Sequence, residues 1–131
     1  MRRRACLGVI LAGASMGAVA IQGADAPRSI QLHLDLAVDP AKEAQLLQFV
    51  ETTFRPAASR QPGYIDLKML KLSATLRGPA PEGANFQFVL TFTSEELRQQ
   101  WVASATHQKL WPTVESTLTS KNYTRLLYEV Y

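Results

Sequence analysis

Apolar and polar residues alternate strictly from Ile30 to Val38, with five aliphatic side chains on one side and Gln31, His33, Asp35 and Ala37 on the other. A period of two over this length predicts a strand. Asp39-Pro40 then supplies a cap residue followed by proline at a first helical position. The helix that follows carries Leu46, Leu47, Phe49, Val50, Phe54 and Ala57 on one broad face, and Pro56 is expected to kink or end it. Gln61-Pro62-Gly63 is a turn. Tyr64 to Ser73 predicts a second strand, with Ile65, Leu67 and Met69 on one face, and the Gly- and Pro-rich stretch from Thr75 to Ala84 predicts a loop.

Asn85 to Phe92 predicts a third strand, in which Phe86, Phe88, Leu90 and Phe92 share a face. Thr93-Ser94-Glu95-Glu96 fits a capping box with Thr93 as the cap. Leu97, Trp101 and Ala105 follow at helical spacing, then Leu110, Val114 and Leu118, with Pro112 expected to break the path near Trp111. Lys121 to Tyr131 predicts the last strand. The order β-α-β-β-α-β predicts an α+β, ferredoxin-like domain over residues 30–131, with both helices covering one face of a four-stranded antiparallel sheet. The other face mixes Gln31, His33, Asp35, Gln87 and Thr91 with apolar side chains. Such a face usually meets a partner, and a homodimer is expected.

The N-terminal segment reads differently. Met1-Arg2-Arg3-Arg4 precedes an uncharged stretch from Ala5 to Ile21, with small-residue exits at Ala18-Val19-Ala20 and Ala24-Asp25-Ala26. This is the pattern of an export signal over residues 1–26, and a periplasmic or secreted destination is expected. An uncleaved membrane anchor is the alternative; after cleavage no membrane attachment is expected. Arg3-Arg4-Ala5-Cys6-Leu7 loosely matches a twin-arginine signal.

The signal changes the charge balance. The chain has 14 Lys+Arg against 11 Asp+Glu, but Arg2, Arg3 and Arg4 lie in the signal, and without them 11 face 11. A balanced domain lacks the clustered positive surface that nucleic acid requires, so no nucleic-acid partner is expected. Cys6 is the one cysteine, so the mature domain relies on packing rather than disulfides. About 105 residues bury only about two-thirds of their unfolded surface, which again favours a shared dimer core.

His33 and Asp35 point to the same strand face, about 7 Å apart by strand rise. They read either as an acid–base pair or as polar partners at a subunit interface. Two histidines on separate elements do not make a structural metal set. No glycine-rich phosphate loop, nucleotide fingerprint or Ser/Cys nucleophile motif is present. Neither a metal nor a cofactor is expected.

Three stretches, Phe54 to Tyr64, Phe88-x-x-x-Phe92-x-Ser94-x-Glu96 and Trp101-x-x-Ser104-x-x-His107 through Trp111, resemble the antibiotic biosynthesis monooxygenase family. That resemblance spans about residues 30 to 131 and implies a dimeric α+β barrel, with a cavity between sheet and helices in each subunit. It implies a small aromatic or hydrophobic ligand, and some members oxidise quinols without metal or flavin. His107 falls at the family's cavity rim. There it reads as a proton acceptor of near-neutral pKa, or else as a histidine satisfying backbone groups at a helix break. Trp101, Trp111 and Ser104 are the candidate substrate contacts, with core packing the alternative for both tryptophans. Heme-degrading relatives place their iron-binding histidine about ten residues after the tryptophan, where this chain has Trp111. They also use a first-strand asparagine, which this first strand lacks, so heme degradation is not expected.

Overall fold

The structure is a computed structural model that describes residues 28–131; the export signal expected over residues 1–26 lies outside them. Four antiparallel strands form one sheet in the order β2-β3-β1-β4. β1 is Ile30–Leu36, β2 Tyr64–Lys71, β3 Phe86–Phe92 and β4 Thr124–Glu129. This is the ferredoxin-like arrangement that the sequence predicts. Along the central pair, Ile30, Leu32, Leu34 and Leu36 stand opposite Phe92, Leu90, Phe88 and Phe86. Because side chains alternate along a strand, this register gathers both apolar rows on one face.

β1 ends earlier than its alternation. The Asn85 side chain takes the place of a strand partner for Val38, accepting from its N–H at 2.8 Å and donating to its carbonyl at 2.9 Å. Val38 then bridges Leu118. Asp39 caps the next element as expected, its Oδ1 accepting from Ala41 N–H at 2.9 Å. A 3₁₀ turn, Pro40–Lys42, leads into α1 (Glu43–Phe49), a π-helical segment (Val50–Phe54) and α2 (Arg55–Ser59).

Pro56 therefore does not end the helix. Proline lacks an N–H and crowds the carbonyl four residues back, and one widened turn accommodates both effects. In that turn Arg55 N–H donates to the carbonyl of Val50. The Arg55 guanidinium meanwhile donates to the carbonyl of Leu67 and ties the helix to β2.

Three further departures have local causes. The β2–β3 ladder shifts between Tyr64 and Asp66; this bulge turns Ile65 outward, 47% exposed, while Leu67 and Met69 keep the inner face. The cap of α3 (Glu95–Ala103) is Ser94 rather than Thr93, since Ser94 Oγ accepts from Leu97 N–H. Thr93 N–H is still committed to the turn, donating to the Gly63 carbonyl at 2.8 Å. The break that follows falls at Ser104 rather than Pro112, and α4 runs from Ala105 to Glu115 with Pro112 inside it. Gln108, whose carbonyl loses its usual partner to Pro112, is exposed, so water can supply one.

The core lies between the helices and one sheet face, where Trp101, Phe54, Phe88, Phe92, Leu36, Leu46 and Leu67 are fully buried. On the opposite face Val89 and Thr91 are buried, but Leu70, Leu126, Tyr128 and Val130 stay exposed. Among the described residues no helix is long and apolar enough to cross a membrane.

Gly63 tests this packing. It has φ of +87°, and a Cβ there would stand 2.6 Å from Leu97 Cδ1 and 2.8 Å from Thr93 Oγ1. Gly63→Ala combines backbone strain with overpacking and should cost about 1–3 kcal/mol in urea unfolding. An unchanged midpoint would mean that this turn does not clamp α3 to the sheet.

Candidate functional site

The helix-covered face of the sheet is not completely filled. A cavity of about 320 Å³ remains between Leu32, Leu34, Phe88 and Leu90 on the strands and His107, Gln108 and Trp111 on α4. Phe54 closes its floor, while Arg98, Glu115, Tyr123 and Arg125 bring polar groups to it. The volume is at the small end of the range for small-molecule sites, about 300–1,000 Å³.

Ser104 sets the wall on the helix side. Its backbone is extended (ψ 152°), its hydroxyl donates to the Trp101 carbonyl at 2.7 Å, and the same oxygen accepts from His107 N–H at 3.2 Å. One residue thus closes α3 and opens α4. His107 and Trp111 are four apart on α4 and share a face; their rings stack at 5.7 Å with an interplanar angle of 12°. Trp101 meets His107 edge-on at 5.1 Å.

His107 Nδ1 is buried without a hydrogen-bond partner among the described residues, as is Trp101 Nε1. Burial, reinforced by the neighbouring Arg98 guanidinium, holds the imidazole down at about 4. The expected near-neutral pKa is therefore not what the burial of His107 gives: at neutral pH His107 is uncharged. Arg98 itself is fixed by Glu95 through two contacts of 2.6 Å.

A second polar chain runs from Trp111 to Tyr123, just before β4, and back to α4. Trp111 Nε1–H donates to the Tyr123 hydroxyl at 2.9 Å, and that hydroxyl donates to Glu115 Oε2 at 2.8 Å. Burial, with Glu115 adding to it, raises the Tyr123 phenol above its ordinary value, so it stays protonated. The chain pins the Trp111 indole, and through it the plane of His107.

The sequence candidates separate accordingly. His107 and Trp111 line the cavity. Trp101 does not; it is 1% exposed, wedged against Phe54 and His107 in the core. Ser104 does not line it either, because its hydroxyl is spent on the helix break. Neither of these residues is placed to touch a ligand in the cavity. His33 and Asp35 lie on the other sheet face and do not pair with each other. His33 Nε2 and Gln31 Oε1 are 2.6 Å apart, and His33 packs on Tyr128, while Asp35 accepts from Gln87 Nε2 at 3.1 Å. With these partners the two side chains do not form an acid–base pair. Among the described residues, no three His, Cys, Asp or Glu side chains gather as a metal set.

Phe54, Glu115, Tyr123 and Arg125 went unmarked as site residues. Alternation about β4 could have shown that Tyr123 and Arg125 share the face of Leu127, and that an arginine there is out of place.

No family model matches the chain, and no curated protein matches it in sequence. Solved structures do share its fold. A protein from Caulobacter crescentus CB15, provisionally named an antibiotic biosynthesis monooxygenase, superposes with a TM-score of 0.65 at 11% identity, over 86% of this chain and 98% of its own. A dimeric ferredoxin-like protein of unknown function from Jannaschia sp. CCS1 gives 0.62 at 12% identity, over 79% and 98%. The hydroxynitrile lyase of Passiflora edulis gives 0.59 at 12% identity, over 80% and 95%. The chain therefore has the ferredoxin-like α+β fold found among antibiotic biosynthesis monooxygenase-like proteins.

The depressed His107 pKa makes a signed prediction. Between about 4 and the ordinary 6.5, the unfolded chain binds a proton at His107 that the folded one does not. Stability is therefore fully present above about pH 6.5 and falls as the pH is lowered toward 4. Urea unfolding at stepped pH should show this loss in the wild type and a flatter profile in His107→Gln. Parallel profiles would mean that the imidazole is not held neutral by burial.

Proposed function

We propose that this protein is an exported, homodimeric, monooxygenase-like enzyme that acts on a small electron-rich aromatic such as a quinol, without metal or flavin. The observation that carries the reading is a neutral histidine stacked on a tryptophan, at the wall of a small cavity whose sheet side is lined by Leu and Phe. A flat ring fits against these aromatic and aliphatic walls. The fold shared with the Caulobacter protein supports the reading, and fold alone does not choose the chemistry, since a hydroxynitrile lyase has it too.

His107 accepts the phenolic proton of the bound quinol. As a free group at about 4 it is a weak base, but the phenolate formed beside it favours the imidazolium, and the neighbouring Arg98 favours the phenolate. The electron-rich anion reacts with dioxygen. One oxygen atom enters the ring, the other leaves as water, and the substrate supplies all the electrons. The apolar walls limit water near the anion and protect its intermediates.

The homodimer is supported by the outer sheet face, where Leu70, Leu126, Tyr128 and Val130 are exposed around the His33 and Asp35 pairs. The dimeric Jannaschia neighbour supports it too. Export rests on the basic and apolar pattern of residues 1–26. Heme degradation is no part of this reading, because Trp111 stands at the spacing where those relatives carry a histidine.

The low His107 pKa also favours a second reading, a non-enzymatic module that holds a small hydrophobic ligand. Oxygen uptake by the mature domain with a panel of quinols and catechols separates the two. The enzyme reading expects uptake that His107→Ala reduces by roughly 100-fold or more, a far larger loss than its loss of folding stability. Equal uptake by the variant removes His107 from the chemistry. No uptake with any compound leaves the binding module.

A further inference from the structure

Resting on the aromatic ligand proposed above, we infer that this ligand also carries a carboxylate, received by Arg125 at the mouth of the cavity. The starting point is a residue out of pattern. In the β1–β4 ladder Arg125 stands opposite Leu34, and Leu127 stands opposite Leu32. Both strands present these positions to the helix-covered side, so Arg125 occupies a row that is apolar on its neighbour. β4 is the edge strand of the sheet, so the guanidinium stays solvated while remaining on the cavity side.

The other charged groups of the cavity are already committed. Arg98 is held by Glu95 through two short contacts, and Glu115 accepts from the Tyr123 hydroxyl. Arg125 makes no side-chain hydrogen bond or ion pair with any described residue. It is an exposed residue that still lines the cavity, which puts its charge at the open side rather than in the floor.

The cavity therefore has two chemical ends. Inside, Phe54, Phe88, Leu90 and the stacked pair of Trp111 and His107 suit a planar ring, with a neutral imidazole to meet a ring hydroxyl. At the mouth stands a cation with no hydrogen-bond or ion-pair partner among the described residues, and its planar fork matches a carboxylate with two parallel hydrogen bonds. A volume of about 320 Å³ limits the occupant to a small compound. A hydroxylated aromatic monocarboxylate satisfies both ends at once. A plain phenol or quinol leaves the arginine facing water.

The test uses the mature domain and two compounds of matched shape, para-hydroxybenzoate and the neutral para-cresol. Binding is followed by tryptophan fluorescence at constant salt, for the wild type, Arg125→Gln and Arg125→Lys. Because Arg125 is exposed, the variants should keep the wild-type circular dichroism and unfolding midpoint.

The wild type should bind the carboxylate roughly 10- to 100-fold more tightly than the cresol. Arg125→Gln should remove that preference and leave cresol binding unchanged, with Arg125→Lys in between. Equal affinities in the wild type, a preference that survives Arg125→Gln, or no saturable binding of the carboxylate would each overturn the inference. Oxygen uptake reads the proposed chemistry separately. Carboxylate preference without uptake would keep this inference and remove the enzyme, whereas uptake with neutral quinols and no Arg125 dependence would do the reverse.

Discussion

The site depends on where one phenyl ring is held. Phe54 is completely buried and meets Phe88, Trp101, His107 and Trp111 within 5.7 to 6.0 Å, each at a steep or tilted angle. Edge-to-face geometry of this kind adds about 0.5–1.5 kcal/mol per pair beyond the area buried. The ring touches the sheet, both halves of the second helical layer and the cavity. Its position comes in turn from the widened helical turn that lets the chain pass Pro56. A regular turn there would meet the proline ring with a carbonyl and would present position 54 at a different angle. The feature that looks like a fault in the helix is therefore what aims the floor of the cavity.

Two hydrogen-bonded devices then set the walls. Ser104 spends both roles of its hydroxyl on backbone groups and turns His107 inward. Tyr123 passes a hydrogen bond from Trp111 to Glu115 and stops the indole from rotating. The imidazole lies against that indole, so its plane is fixed by groups it does not itself bond. This arrangement pre-orients an uncharged ring without a polar partner, and it accounts for the unbonded Nδ1.

The fold was legible because its signals are periodic. The apolar rows of β1 and β3 alternate without interruption, and each strand or helix has one face that must be covered. What the pattern missed were single-residue events with no period. The bulge that exposes Ile65, the choice of Ser94 over Thr93, and the survival of the helix through Pro56 all depend on which backbone groups the neighbours have already taken. The cavity was legible only in part. His107 and Trp111 were identifiable from a diffuse likeness, but Trp101 is the residue that a hydrophobic spacing rule places in the core, and the core is where it sits. Arg125 and Glu115 escaped notice because a charge on a strand or helix is ordinarily a solvated one.

Consider the helix break at Ser104 as a matter of phase. In an unbroken helix, six residues at about 100° each would leave His107 roughly 120° around the axis from Trp101. One side chain would then have to leave the sheet side. The extended backbone of Ser104 discards the accumulated rotation and starts a new count. Trp101 can then serve the core while His107 and Trp111 serve the cavity, all from one helical layer. The two halves of that layer no longer share an angular register, so one helical layer presents two different faces to the sheet.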